Sequence, residues 1–121
     1  MMLLLAALAA AQGAPPAGER LYLQHCQGCH ALEAGRSTPA GPTLSGVVGR
    51  RIAAETRFDY SPAMRAFGAR ERLWTRERLD RFLTNPERAV PGTEMGAAGL
   101  AEPRARRALI DWLGRRARPT R

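Results

Sequence analysis

Apolar positions in this chain recur mostly at three- and four-residue steps, and no apolar–polar alternation runs long enough for a strand. Four stretches predict helices. From Gly18 to Cys29, Leu21, Tyr22, Cys26 and Cys29 recur at such steps behind Glu19 and Arg20. Ser61-Pro62 opens a short helix, with Ser61 as N-cap and proline in the first turn. Leu73-Trp74-Thr75 leads into another, capped by Thr75, with Leu79, Phe82 and Leu83 as its apolar face and Asn85-Pro86 as its stop. Pro103 opens a terminal helix whose buried face is Ala105, Ala108, Leu109, Trp112 and Leu113. The stretches from Ala34 to Gly49 and from Val90 to Gly99 are dense in Gly, Pro, Ser and Thr and predict loops, with Leu44, Val47 and Val48 turned inward. The fold class is therefore all-α: short helices joined by loops long enough to carry function or wrap a ligand.

Two features of composition sharpen this picture. Leu3 to Ala11 is an uninterrupted apolar run, too short to span a bilayer but suited to the core of a secretory signal. Ala9-Ala10-Ala11 fits a small-residue cleavage rule, and Ala14 offers a second site. The expectation is a signal peptide over residues 1–14, one domain over 15–121, no membrane span in the mature chain and a periplasmic location. The net charge is +8, and every basic residue is arginine. Acidic residues are interspersed, and no basic motif is interleaved with aromatics, so no nucleic-acid partner is expected. Solvated helix faces that also meet an acidic protein surface account for the charge.

The candidate chemistry is concentrated in LQHCQGCHAL, which holds both cysteines and both histidines. A zinc site needs four converging ligands. His25 and Cys26, like Cys29 and His30, are adjacent, and adjacent helical side chains diverge by about 100°. A dithiol redox pair would follow a strand, and none is predicted. A disulfide would close a very small ring and leave His30 without a role. Cys-x-x-Cys-His is the attachment pattern of c-type haem. Two thiols on one helical face can add to the two vinyl groups on one porphyrin edge, and His30 can then reach the iron. For the opposite side of the iron the candidates are Met95 and Met64, with His25 read as a solvated helix residue. Met95 is favoured, because VPGTEMGAAGL is a loop whose small residues allow close approach to a flat ligand.

From Ala17 to Ala117 the chain resembles class I cytochrome c, in the mitochondrial and bacterial c2-like branch. The resemblance is carried by AGERLYLQHCQGCHALE, GPTLSGVVGRR, FDYSPAM, LWTRERLDRFLTNPERAVPGTEM and ALIDWLGRR, in that order. It implies a small cytochrome c fold wrapped around one haem c, held by thioethers to Cys26 and Cys29, with the first and last helices crossing at Gly18, Tyr22, Leu109 and Trp112. His30 and Met95 would be the axial ligands. Pro42 would accept a hydrogen bond from the His30 ring, and Arg50, Tyr60, Trp74 and Thr93 would surround the haem propionates. The implied function is that of a soluble one-electron carrier of a respiratory chain, not an enzyme. The implied carrier is monomeric, docking transiently on redox partners at an exposed haem edge. The alternatives are a dedicated electron-accepting subunit of a periplasmic dehydrogenase and a haem enzyme or gas sensor with an open sixth site. Phe82 stands where the family often has Tyr, Met64 where mitochondrial members have Asn, and Ala97 where a Phe usually shields the haem edge. The segment between Tyr60 and Trp74 is about three residues longer than in mitochondrial members, by the same comparison. Arg70, Arg72 and Arg88 would replace the family's lysine-rich docking face, interrupted by Glu87 and Glu94.

Overall fold

The structure, a computed structural model, describes residues 13–116. All of the signal-peptide expectation except Gly13 and Ala14 therefore lies outside the described residues. Among the described residues five helices follow one another: α1 (Ala17–His25), α2 (Pro62–Glu71), α3 (Arg76–Thr84), α4 (Pro86–Ala89) and α5 (Pro103–Arg116). Extended pairing among the described residues is limited to isolated bridges, Thr38 with Gly41 and Arg51 with Leu73.

Local chemistry sets most helix ends. The Ser61 hydroxyl accepts a hydrogen bond from Met64 N–H at 3.1 Å, and Pro62 follows as the first helical residue. The Thr75 hydroxyl does the same for Arg78 N–H at 3.2 Å. Asn85-Pro86 ends α3 as expected, but it also starts a helix that the sequence reading took for loop. The Asn85 side chain accepts from Arg88 N–H at 3.1 Å, and one turn of α4 follows. The expected helix from Gly18 to Cys29 stops at His25 instead, and Cys26 to Cys29 form turns. Gly28 is a poor helix former, and long-range bonds to His30, described below, hold the chain in a different direction.

The core is apolar and aromatic. Tyr22 on α1 packs on Trp112 on α5 with ring centroids 5.5 Å apart. Trp74 sits between Phe67 and Phe82 at 5.7 and 5.2 Å. Leu109 is fully buried, with Ile110 and Leu113 beside it. The buried face of α5 differs from expectation: Ala105 and Ala108 are half-buried, whereas Ile110 and Arg106 are buried.

Candidate functional site

A cavity of about 390 Å³ opens into this core. Leu44 and Val47 from the long loop, Met64 from α2, Leu79 and Phe82 from α3 and Leu109 and Leu113 from α5 supply apolar wall. His30, Met95 and Cys26 also line it, as do Pro42, Arg50, Tyr60, Trp74 and Thr93. The fold thus brings residues spread over most of the chain to one enclosure. Of the expected site residues only Cys29 does not line it; Cys29 is exposed, three residues beyond Cys26. His25 is exposed as well.

The turn that carries the cysteines is anchored at both ends. Cys29 and His30 each donate their backbone N–H to the Cys26 carbonyl, at 3.0 and 2.9 Å. The Tyr22 hydroxyl donates to the His30 carbonyl at 2.6 Å, tying the turn to the α1–α5 crossing. His30 Nδ1 lies 2.7 Å from the Pro42 carbonyl oxygen. A carbonyl can only accept, so Nδ1 carries the proton and Nε2 keeps a free lone pair. Burial lowers the His30 pKa, the Pro42 bond works against that, and the Arg50 charge adds to the lowering. The imidazole is therefore neutral at pH 7 and competent as a metal ligand. No disulfide joins Cys26 and Cys29, and burial pushes a thiol at Cys26 up to about 11.

A second set of groups in the cavity suits carboxylates. Residues 49–52 run beside 72–74 through Gly49 N–H to Trp74 O, Trp74 N–H to Arg50 O and Ile52 N–H to Arg72 O, at 2.7, 2.8 and 2.8 Å. This pairing sets Arg50 beside Trp74. One guanidinium nitrogen, Nη1, donates to Thr43 O at 2.7 Å and Ser45 O at 2.9 Å and stands 3.4 Å from Glu55. Arg50 Nε is buried and has no partner among the described residues. The Tyr60 hydroxyl accepts from Glu55 N–H at 3.2 Å, which leaves its own proton to donate. Burial raises the Tyr60 pKa, so that proton stays on. A buried orphan donor is costly, and it marks where an acidic group belongs.

Met95 sits on the loop after α4, half-buried. The Thr93 hydroxyl accepts from Met95 N–H at 3.3 Å, and the Glu87 carboxylate accepts from Gly92 N–H at 3.0 Å. A largely apolar enclosure with an imidazole, a thioether, a thiol on its wall and a cluster of unused donors matches a flat apolar macrocycle bearing carboxylate arms and a metal. The residues fit haem.

Two residues that matter here were missed in the sequence. Thr43 is fully buried: its hydroxyl donates to Glu33 O at 2.6 Å and accepts from Ser45 N–H at 3.1 Å, while its backbone N–H donates to Ser37 at 3.0 Å. It shapes the loop that presents Pro42 and receives Arg50. Arg106 is the other, and no sequence signal separates it from the arginines around it. A second cavity of about 460 Å³ shares no residue with the first and is lined by Arg70, Arg78, Arg81 and Arg88. Arg78 is bound to Glu71 at 3.1 Å.

The sequence matches the family model for cytochrome c over residues 16–115. It is 38% identical over 102 residues to cytochrome c type-1 of Ascaris suum, covering 84% of this chain and 88% of that one. Identity to cytochrome c2 of Agrobacterium tumefaciens is 34% over 96 residues, with 79% and 86% coverage. The structure superposes on cytochrome cH from Methylobacterium extorquens with a TM-score of 0.71 and 32% identity, covering 80% of this chain and 93% of that one. With the cavity, the Cys-x-x-Cys-His turn and these likenesses together, the chain belongs to the cytochrome c family, electron carriers with covalently bound haem c.

Proposed function

We propose that this protein is a freely diffusing, monomeric one-electron carrier in the periplasm, exported by a signal peptide over residues 1–14, with residues 15–121 forming the haem domain. Cys26 and Cys29 would hold the haem through thioethers, and His30 and Met95 would ligate its iron. The observation that carries the reading is that His30, with its ligating nitrogen free, and Met95 line the same cavity. When bound, the haem supplies the one-electron couple. A neutral thioether and an imidazole together raise its potential. The Pro42 carbonyl fixes the imidazole ring and increases its basicity. Arg50 Nε, the Tyr60 hydroxyl, Trp74 and Thr93 receive the propionates, and the Leu and Phe walls exclude water.

The test is an optical spectrum of the native protein in both redox states. A low-spin c-type spectrum with a ferric sulfur-to-iron charge-transfer band is expected, and Met95→Ala should abolish the band while the haem stays covalently attached. Retention of the band in that variant would remove Met95 from the site. A high-spin ferric protein that binds cyanide rapidly would favour the enzyme or sensor reading instead.

No helix among the described residues is long and apolar enough to cross a membrane. The partners are redox proteins with acidic surfaces. Arg70, Arg81 and Arg88 are exposed and have no carboxylate partner among the described residues. Association with such a partner should slow by about threefold or more between low and physiological ionic strength. A salt-independent rate in stopped-flow electron transfer would contradict steering by these charges. Co-purification in a stable stoichiometric complex with a dehydrogenase would replace the free carrier by a dedicated subunit.

A further inference from the structure

Arg106 is a buried charge that electron transfer does not require. It lies in the first turn of α5 with 8% of its surface exposed. Its Nε donates to Asp80 on α3 at 2.8 Å. Its Nη1 donates to two successive carbonyls, Leu100 O at 2.8 Å and Ala101 O at 3.1 Å. Those carbonyls end the loop that carries Met95. On the near side of that loop, Glu87 and Thr93 hold the backbone. From Gly96 to Gly99 every residue is exposed and no hydrogen bond among the described residues involves the segment. The chain is caught again only where Leu100 N–H donates to Leu83 O at 2.7 Å. Immediately before that point Gly99 lies so close to α3 that a Cβ on it would fall 1.8 Å from the Thr84 carbonyl oxygen. The far anchorage of the Met95 loop is thus a backbone pair, a close approach and the Arg106 fork.

We infer that Arg106 is a positioning residue for Met95: by pinning Leu100 and Ala101 to α3 and α5, it keeps the thioether at the sixth position of the iron. The inference rests on the proposed ligation by Met95. A thioether is a weak ligand that stays bound because its loop keeps its local concentration high. Slackening one end of the loop lowers that concentration. The chain has no lysine, so no side-chain amine competes for the position, and added imidazole serves as the probe.

The experiment is a spectrophotometric titration of the ferric holoprotein with imidazole, beside denaturant unfolding of the same samples. Arg106→Met removes every donor and keeps the apolar stem. It should tighten apparent imidazole binding by roughly tenfold, the weight of one charge-assisted hydrogen bond. Asp80→Asn weakens the grip on Nε and should give a smaller shift of the same sign, and it answers the question should Arg106→Met fail to fold. Ile110→Ala, also in α5 and 3% exposed, is the control for lost stability; it should lower the unfolding midpoint and leave imidazole affinity unchanged. Equal tightening in Ile110→Ala and Arg106→Met would reduce Arg106 to a structural residue, and unchanged affinity in Arg106→Met and Asp80→Asn would overturn its link to Met95. Absence of the sulfur-to-iron band from the unaltered protein would overturn the ligation reading and this inference with it. Its presence with unshifted variants overturns this inference alone.

Discussion

Replacing Cys26 and Cys29 together by alanine is expected to leave a chain with no cooperative fold at 25 °C. The cavity they serve measures about 390 Å³. Left without haem, a space of this size forfeits the packing contacts of every side chain that lines it, a loss of several kcal/mol on the order of the whole stability of a small domain. A domain of about 100 residues has in total about 5–15 kcal/mol. The walls explain why the space cannot close cheaply. Leu79, Phe82, Leu109 and Leu113 are held on α3 and α5, which are fixed by other contacts, including the Arg106–Asp80 pair. The unpartnered Arg50 Nε adds a further polar penalty of about 1–3 kcal/mol. Each single cysteine variant keeps one tether and should retain haem at reduced stability. The measurements are haem retention under denaturing conditions and far-ultraviolet circular dichroism through a denaturant titration. A sharp transition near the midpoint of the unaltered protein, without haem, would show that the helices hold together on their own.

How much of this was legible in the sequence depends on whether the controlling contact is local. The starts of α2 and α3 were readable because Ser61 and Thr75 bond to the third residue after them. The end of α1 was not. Tyr22, Cys26 and Cys29 do have helical spacing, but the turn at Cys26 is held by Tyr22 bonding eight residues ahead and Pro42 bonding twelve residues back. The double role of Asn85-Pro86 was readable in principle, since the pair that stops one helix is also a cap followed by a first-turn proline. Arg106 and Thr43 were invisible for a common reason. Among Arg104, Arg106 and Arg107, and in the loop sequence GPTLSG, nothing separates a buried polar hub from a solvated neighbour. Only the tertiary partner does.

The candidate site divides along the same line. Cys26, Cys29 and His30 lie within five residues, so their spacing, with the missing strand and the divergence of adjacent ligands, pointed to haem attachment. Arg50, Tyr60, Trp74 and Thr93 are spread over loops and entered by family resemblance. The structure supplies the physical link for two of them, the antiparallel pairing of 49–52 with 72–74 that sets Arg50 beside Trp74. It also adds Glu55 and Thr43, which occupy Arg50 Nη1, while Nε stays buried without a partner among the described residues.

Gly18→Ala is the second large effect, and its sign runs against a common rule. Glycine to alanine inside a helix ordinarily stabilises by up to about 1 kcal/mol. Here an added Cβ would stand 2.2 Å from Trp112 Cβ and 2.5 Å from the Ala108 carbonyl oxygen. Neither is the far end of a flexible side chain, so α1 and α5 themselves must part. Separation costs dispersion along the whole crossing, including the Tyr22–Trp112 contact. It also pulls on the Tyr22 hydroxyl, which holds the His30 carbonyl. Overpacking of this kind costs about 1–3 kcal/mol, which outweighs the propensity gain. The unfolding midpoint of the holoprotein should fall by about 5–15 °C, at about 4–8 °C per kcal/mol for a domain of this size. Gly114→Ala on α5 is the matched control: its Cβ would meet Val48 and Arg76 at an ordinary 3.8 Å, so the propensity term should prevail and the midpoint hold or rise. Gly18→Ala melting at or above the unaltered protein would mean that the helices do not cross as closely as the structure places them. The same melting data read at the haem band report whether the proximal turn loosens with the crossing, as the Tyr22 bond requires, or survives it.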